Sequence, residues 1–485
     1  MDRIEQFSTI AHDIGDIFRY ISIGTAVPLV VAVIYREWDM ILPMASVPAT
    51  LFLLGTLFAQ VPRQEREAPL STALMAVALI WLISALVSAL PFTLGLGVPY
   101  LDGVFEAMSG WTDTGLTMMR SVDDLPRTLL FWRSLMQWLG GIGIVAFTIA
   151  MASRTGLTQF RLYRSEGRSE ALMPSVVATG LEMWKIYLVL TGASIGLILL
   201  SGVSLWDSVN IALSAISTGG FSVHSGGIPF YNNPLLEVLI VPVMIAGALP
   251  FKLYYFLYRR KGVRFFDDQQ ARLLFILVAL GIVVIAWDLV TLSATDIATA
   301  VRQALFMSAA AVTSTGFQTA SPNEWASVTV LFLSMLIVIG GASGSTAGGI
   351  KLSRVVLGFQ SLLWWFRRMF VSGKVLVPFK YGGRVIPKNV AELEVSRNML
   401  VIMLYFLTIF IATVLVMHLQ PTSFDSSNVI FEVVSAMCNN GMTAGFVSPD
   451  MADPAKVLFI AVMWIGRLEI IPVIMLFMGV FKGFE

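Results

Sequence analysis

Four short polar turns recur between long apolar stretches of this sequence, and each contains a glycine. Because glycine adopts backbone angles closed to other residues, successive carbonyl oxygens in such a turn can point to one side. Four turns around one axis would present rings of carbonyl oxygens, which can replace the hydration shell of a monovalent cation. The candidate ligands are Thr112, Asp113, Thr114, Gly115, Ile216, Ser217, Thr218, Gly219, Thr313, Ser314, Thr315, Gly316, Cys438, Asn439, Asn440 and Gly441.

A single Thr-Gly pair would indicate only a helix C-cap or an ordinary loop. The recurrence changes this interpretation, because each turn follows a short amphipathic run and lies between two predicted spans. We align the turns on Gly115, Gly219, Gly316 and Gly441. Asp113 is then expected to add a formal charge near the outer mouth of the ion pathway.

A glycine-rich segment interrupts the eighth predicted span. Each glycine inside a helix costs about 1 kcal/mol, so the helix should break here, and broken backbone at membrane depth must be buried in protein or line water. We predict a gating loop just below the turns; close helix packing through small residues is the alternative. The predicted gate residues are Gly340, Gly341, Ser343, Gly344, Ser345, Thr346, Gly348, Gly349 and Arg467.

Arg467 lies in the apolar segment 462–478, where an arginine needs a partner or a cavity. We expect it to bind carbonyl oxygens of the segment 340–349; snorkelling or a helix–helix salt bridge is the alternative. The segment does not match a nucleotide-binding P-loop, because Ile350 separates Gly349 from Lys351 and no strand precedes it.

The composition predicts the elements that must position these residues. Of the 485 residues, 56% are hydrophobic and 13% charged, against about 25% charged in soluble proteins. The chain is therefore predicted to be an all-α polytopic membrane protein, with spans of about 20 residues. The ten predicted spans lie near residues 20–36, 42–62, 72–96, 128–151, 184–202, 235–258, 271–291, 326–340 with 350–366, 398–419 and 456–480.

Four runs between successive spans are too short to cross a bilayer, and we interpret them as re-entrant half-helices. The runs are Leu101–Trp111, Leu205–Ile216, Ile297–Val312 and Ser426–Met437. Their predicted N-caps are Asp102, Ser204 or Asp207, Thr295 or Asp296, and Ser426.

The repeated order of span, half-helix, turn and span divides the chain. The predicted units are an N-terminal pair of spans (1–68) and four repeats (69–153, 154–262, 263–390 with the interrupted span, and 391–485). Basic residues cluster in the segments 63–66, 154–168, 259–264 and 367–388, so both termini are predicted to be cytoplasmic.

Three motifs, Ser217–Ser222, Ser314–Phe317 and Ile339–Lys351, are supported by Ile465–Glu469 near the end of the chain. With them the sequence resembles the membrane subunit of the Trk/Ktr/HKT superfamily of potassium transporters, in its TrkH branch, over nearly its whole length. The resemblance implies four M1–pore helix–M2 units around a central pore, with the four turns as one selectivity filter and the glycine-rich segment as a gate. It also implies a homodimer and a cytosolic ring of nucleotide-binding (TrkA/KtrA-like) regulatory subunits.

These observations predict potassium uptake across the cytoplasmic (inner) membrane through a channel-like pore. Because the four turns differ in sequence, the pore is expected to admit sodium as a second ion. A coupled symporter, moving K⁺ with H⁺ or Na⁺ and using the broken helix as an alternating-access site, is the alternative. An intramembrane enzyme is disfavoured, because the three histidines lie near span ends or outside spans and no Gly-x-Ser-x-Gly segment leads to a base. No cofactor and no nucleic-acid partner is predicted.

Overall fold

The computed structural model describes residues 3–61, 70–143, 176–259, 267–371, 377–381 and 384–482. The predicted basic segments 63–66 and 154–168, most of 259–264, and the unit boundaries after residues 68, 153 and 262 lie outside these ranges. Regular structure in the described residues is helical apart from one antiparallel hairpin, β1 (Phe379–Tyr381) with β2 (Arg384–Ile386). The predicted all-α class is confirmed.

The helices are numbered in chain order. They are α1 (Arg3–Thr25), α2 (Pro28–Tyr35), α3 (Ile41–Ala59), α4 (Leu70–Ser88), α5 (Leu90–Leu96), α6 (Tyr100–Trp111), α7 (Arg127–Ile142), α8 (Val176–Leu199), α9 (Leu205–Ser217), α10 (Pro234–Ala248), α11 (Phe251–Tyr258), α12 (Gln269–Thr291), α13 (Ile297–Val312), α14 (Ser327–Ile339), α15 (Leu352–Met369), α16 (Lys388–Leu419), α17 (Ser426–Met437), α18 (Asp453–Arg467) and α19 (Ile471–Lys482). Among the described residues, six helical segments are long and apolar enough to cross a membrane, or up to eight if two bent pairs each count as one span.

The first helix begins earlier than the sequence predicts. The predicted span starts near residue 20, whereas α1 begins at Arg3. Its apolar residues Ile10, Ile14, Ile17 and Ile21 are buried, at the three- and four-residue spacing of one helix face. Polar residues on the other face lower the average hydropathy of this stretch, and a search for continuous apolar runs therefore overlooks it.

The four half-helices are present as α6, α9, α13 and α17. Even the longest, α13 with 16 residues, rises only about 24 Å at 1.5 Å per residue, which is less than the hydrocarbon core of about 30 Å. Ser204 caps α9 by accepting a hydrogen bond from the N–H of Asp207, and Asp296 caps α13 by accepting from the N–H of Thr299.

Two of the predicted N-caps are wrong. Asp102 lies inside the first turn of α6, whose N-cap is Pro99, and Ser426 begins α17 one residue after its N-cap, Asp425. The carboxylate of Asp102 is bound instead by the ammonium group of Lys456 at 2.5 Å, with both side chains buried. Asp102 therefore forms a tertiary ion pair in place of the helix cap that the local sequence predicts.

The helices that follow the turns break at several points, and not only in the eighth span. The angle between α10 and α11 is 94°, and that between α18 and α19 is 112°. The prediction of continuous spans at 235–258 and 456–480 is therefore wrong. The first break lies at Pro250, which lacks the N–H needed to continue a helix. The second lies at Glu469 and Ile470, whose φ values of 56° and 73° are left-handed and end the helix.

Glycines let α7, α10 and α18 approach the C-terminal ends of the half-helices. At each contact, a Cβ on the glycine would overlap a backbone carbonyl oxygen of a half-helix. The distances are 2.0 Å from Gly140 to Trp111, 2.5 Å from Gly247 to Ile216 and 2.0 Å from Gly466 to Met437. The close approach fixes the depth at which each half-helix ends.

Replacing Gly466 with alanine should lower the midpoint of thermal unfolding, because the new Cβ would lie 2.0 Å from the carbonyl oxygen of Met437. Overpacking of this kind costs about 1–3 kcal/mol. The measurement is thermal unfolding of the purified protein in detergent, followed by tryptophan fluorescence. Gly196→Ala is the matched control, since an added Cβ there meets no atom within 4 Å; an equal loss in both variants would contradict the prediction.

Candidate functional site

The four turns share one backbone shape. In each, the second residue is left-handed, with φ between 49° and 66°, and the fourth is a glycine with φ between 78° and 97°. The N–H of the third residue donates to a carbonyl oxygen five residues earlier, in the last turn of the preceding half-helix. The segments are turn 1 (Thr112–Gly115), turn 2 (Ser217–Gly220), turn 3 (Thr313–Gly316) and turn 4 (Cys438–Gly441).

This shared geometry shifts turn 2 by one residue from the sequence alignment. Gly220, with φ of 80°, occupies the place that Gly219 takes in that alignment. Gly219 instead corresponds to the third residue of the other turns, and Ile216 precedes turn 2 inside α9. Because Gly219 and Gly220 are adjacent, either could be aligned with the glycines of the other turns, and only the backbone angles distinguish them.

The four turns close a ring. A Cβ on the fourth residue of each turn would overlap the carbonyl oxygen of the third residue of the next turn, so only glycine fits at these contacts. The distances are 2.3 Å from Gly115 to Gly219, 2.2 Å from Gly220 to Thr315, 1.8 Å from Gly316 to Asn440 and 2.0 Å from Gly441 to Thr114. The four segments singled out in the sequence therefore meet at one place in the fold.

A cavity of about 540 Å³, which we call the mouth cavity, opens at the glycine end of the ring. Its lining includes the fourth residues of all four turns and the loops that follow them. His224, which also lines it, contacts Asp123 at 3.1 Å and stacks on Phe230. Hydrogen bonds from Ser225 and His224 lower the pKa of Asp123 below its usual value, so this carboxylate stays charged and joins two loops at the rim.

Glu106, in the first half-helix, anchors the backbone that follows turn 1. It is completely buried and accepts hydrogen bonds from the N–H of Met118 at 2.9 Å and from the hydroxyl of Thr117 at 3.0 Å. The guanidinium of Arg133 binds the same carboxylate at 2.6 Å and donates to the carbonyl oxygen of Ser222 at 2.8 Å. One buried ion pair thus joins the segments after turns 1 and 2.

Glu432 occupies the equivalent place in the fourth half-helix, six residues before turn 4. Its Oε1 accepts hydrogen bonds from the hydroxyl of Thr443 at 2.5 Å, from the N–H of Ala444 at 2.8 Å and from the N–H of Phe446 at 3.1 Å. Within the described part of the chain it has no cationic partner, unlike Glu106. Two adjacent walls of the ring are therefore held by similar carboxylates in different charge environments.

Two glutamines bind the backbone of the segments that follow turns 2 and 4. Gln137 donates to the carbonyl oxygen of Gly219 at 2.6 Å and accepts from the N–H of Phe221 at 3.0 Å. Gln318 does the same for Thr443, at 2.9 and 3.0 Å. Our sequence reasoning missed both glutamines and Arg133; the available signal was a polar side chain within or beside an apolar span.

The glycine-rich loop between α14 and α15 lies against the end of the ring opposite the mouth cavity. The hydroxyl of Thr346 donates towards the carbonyl oxygens of Ile216 at 3.1 Å and Gly247 at 2.9 Å. A Cβ on Gly348 would lie 2.0 Å from the carbonyl oxygen of Cys438. The loop therefore touches the inner ends of turns 2 and 4.

The other predicted gate residues pack the loop against itself and its neighbours. Gly340 approaches the carbonyl oxygen of Gly348 so closely that a Cβ on it would lie 2.2 Å away. The N–H of Ser343 donates to the side chain of Gln270, and the carbonyl oxygen of Gly344 accepts from the N–H of Phe251. The N–H groups of Ala342 and Thr346 donate to the carbonyl oxygens of Ala248 and Gly247, respectively. Ser345 bonds within the loop, and Gly341 packs on Ala347.

Arg467 connects the loop to the end of α7. Its guanidinium donates to the carbonyl oxygen of Thr346 at 3.1 Å, to that of Gly141 at 3.1 Å and to that of Gly140, and lies 5.3 Å from the ring centre of Trp81. The sequence suggested loop carbonyls as its partners and did not foresee the two on α7. Beneath it lies a cavity of about 50 Å³, lined also by Lys351 and Glu469.

Asp113 does not lie near the mouth, and this expectation is wrong. Its side chain is 1% exposed, and its Oδ1 would lie 2.2 Å from a Cβ on Gly219. It is not among the residues that line the mouth cavity. The left-handed backbone at the second position turns this side chain away from the glycine end of the ring, towards the neighbouring turn.

Comparison with known proteins gives one consistent result. A family model described as "TrkH: Cation transport protein" matches residues 49–481. An uncharacterized cation transporter of Methanocaldococcus jannaschii is 32% identical, covering 96% of this chain and 94% of its own. The Trk system potassium uptake protein TrkG of Escherichia coli is 26% identical, covering 97% and 98%. The crystal structure of the potassium transporter TrkH from Vibrio parahaemolyticus matches with a TM-score of 0.84 at 25% identity, over 97% of this chain and 98% of that one.

Replacing Glu106 with glutamine should destabilise the protein, because Arg133, only 2% exposed, would keep a buried charge without its counter-charge. Breaking one partner of a buried pair costs about 3–5 kcal/mol. The measurement is the shift in the thermal unfolding midpoint.

The double variant Glu106→Gln/Arg133→Gln removes both charges and should recover part of that loss. Arg120→Gln is the control at a solvent-exposed pair, where Arg120 and its partner Asp450 are 73% and 69% exposed and the expected cost is at most about 1 kcal/mol. Equal shifts for Glu106→Gln and Arg120→Gln would show that burial of the pair does not matter.

Proposed function

The chain belongs to the TrkH family of cation transport proteins, and we propose that it carries potassium ions into the cell across the cytoplasmic membrane. The observation that carries this proposal is the closed ring of turns 1 to 4. Relatives named as potassium uptake proteins and a solved potassium transporter match this chain over at least 96% of its length.

The ring is suited to a cation for two physical reasons. Each half-helix ends at a turn, so four C-terminal ends with partial negative charge converge there. The turns then supply backbone carbonyl and hydroxyl oxygens, which are the ligands that replace the hydration shell of potassium. We therefore propose turns 1 to 4 as one selectivity filter, with the mouth cavity on its extracellular side.

Sodium is proposed as a second, less favoured ion. The third residues of the four turns are Thr114, Gly219, Thr315 and Asn440, so the ligand field lacks fourfold symmetry. A filter with unlike walls discriminates between ions of different radius less uniformly than four identical walls would.

A pore is favoured over a symporter with inverted repeats, because the glycines of all four turns line the same cavity. The glycine-rich loop is proposed as the gate on the cytoplasmic side of the filter. Arg467 would hold it closed through the carbonyl oxygen of Thr346.

The resemblance to this family supports the proposed assembly. We propose a homodimer regulated by a ring of nucleotide-binding subunits that dock on its cytoplasmic basic segments. The distribution of basic residues supports cytoplasmic termini, and the repeated order of span, half-helix, turn and span supports unit boundaries after residues 68, 153, 262 and 390.

Replacing Gly316 with serine should abolish most potassium flux, because the new Cβ would lie 1.8 Å from the carbonyl oxygen of Asn440. Overpacking by about 1–3 kcal/mol at the filter corresponds to a loss of roughly 5- to 150-fold. The measurement is potassium flux into proteoliposomes. Gly97→Ser is the control, since Gly97 also has positive φ (69°) and meets no atom within 4 Å; wild-type flux in Gly316→Ser would refute the filter.

Replacing Arg467 with alanine should raise the flux of the protein reconstituted without its regulatory subunits. Each hydrogen bond to a charged group contributes about 1.5–3 kcal/mol, so loss of even one should raise flux roughly tenfold if the loop is the barrier. Arg302→Ala, at a half-exposed arginine on α13, is the control. Unchanged or lower flux in Arg467→Ala, with normal filter selectivity, would count against the gate.

A further inference from the structure

The seams between adjacent turns are built differently around the ring. At the seam between turns 4 and 1, the side chain of the second residue meets that of the third residue of the next turn: Asn439 donates to the hydroxyl of Thr114 at 3.0 Å. At the seam between turns 1 and 2 the corresponding residues are Asp113 and Gly219. Gly219 has no side chain, and the Asp113 carboxylate fills the space where one would lie.

The protein gives this carboxylate few donors. Both oxygens of Asp113 are buried, and neither makes a well-formed hydrogen bond with any residue that the structure describes. The side chain of Gln137 bonds to Gly219 and Phe221. The hydroxyl of Ser217 is close enough to act on the carboxylate, but it donates to the carbonyl oxygen of Ser214. An ionised carboxylate removed from water is stable only when it is paired or when it binds a metal ion.

The cationic side chains that attract Asp113 do not pair with it. Arg467 and Lys351 act on it electrostatically, but they donate to the carbonyl oxygens of Thr346 and Ala347 in the loop. An ionised Asp113 would therefore need its counter-charge from an ion in transit through the ring.

We propose that the Asp113 carboxylate is an anionic ligand for a monovalent cation at the seam between turns 1 and 2, on the side of the filter that faces the loop. The site rests on the proposed filter. It adds one ionised oxygen ligand to a ring that otherwise offers neutral carbonyl, hydroxyl and amide groups. An anionic oxygen has a stronger field than a carbonyl dipole, so it raises cation affinity and favours smaller ions.

Asp113→Asn tests the site, because asparagine keeps the shape and removes the charge. Thr218 adopts nearly the same backbone angles at the equivalent place in turn 2 (φ of 66° against 61°). Asp113→Thr is therefore a second variant that the backbone accepts.

Potassium flux into proteoliposomes is measured against potassium concentration, alone and with sodium or lithium as competitor. Asp124→Asn, which removes an exposed carboxylate outside the ring, is the control for charge loss.

Both Asp113 variants should raise the half-saturating potassium concentration roughly tenfold, the effect of 1.4 kcal/mol. Competition by sodium and lithium should weaken more than that, and the maximal flux should not fall. Unchanged half-saturation and unchanged competition would mean a protonated carboxyl that binds no ion, and would overturn the proposal. A change in maximal flux alone would place the effect on the loop through Arg467, and would also overturn it. Failure of the wild-type protein to carry potassium would instead overturn the proposed function.

Discussion

Backbone that leaves a helix inside an apolar environment must find hydrogen-bond partners within the protein, and this constraint organises the structure. Each of the four turns is satisfied first by its own half-helix, and buried side chains then bind the backbone at or just after turns 1, 2 and 4. Glu106 and Glu432 accept the N–H groups after turns 1 and 4, and Gln137 binds both a carbonyl and an N–H at turn 2. The same requirement ties the glycine-rich loop to α10, through the bond from Thr346 to Gly247, and to Arg467 of α18. The ring of turns and the loop are held by one network.

The same constraint brings neighbouring backbone segments unusually close together. Glycines occur where a carbonyl oxygen of a neighbouring segment occupies the space of a side chain, both around the ring and where the broken helices meet the half-helices. At these positions glycine serves by its small size as much as by its backbone freedom. Carbonyl oxygens at the end of α7 lie at the inner end of the ring, where Arg467 binds those of Gly140 and Gly141.

The four walls are related but chemically unequal. Glu106 is neutralised by Arg133, whereas its counterpart Glu432 relies on neutral donors among the described residues. Asn439 meets a partner side chain at its seam, whereas Asp113 meets a glycine. A single chain with four distinct repeats can place one charge in one wall, which a ring of four identical subunits cannot do.

The sequence by itself determined the membrane class, the four half-helices and the four turns, because these depend on local composition and on the short range of helix and glycine signals. It also singled out Arg467 and the interrupted eighth span. Only the tertiary structure decided that Gly220 rather than Gly219 closes the ring, that the spans at 235–258 and 456–480 are bent, and that Asp102 pairs with Lys456. It also moved Asp113 from the mouth to an inner seam. These features depend on which distant segment supplies a partner, and partners separated by a hundred or more residues leave no periodic trace along one chain.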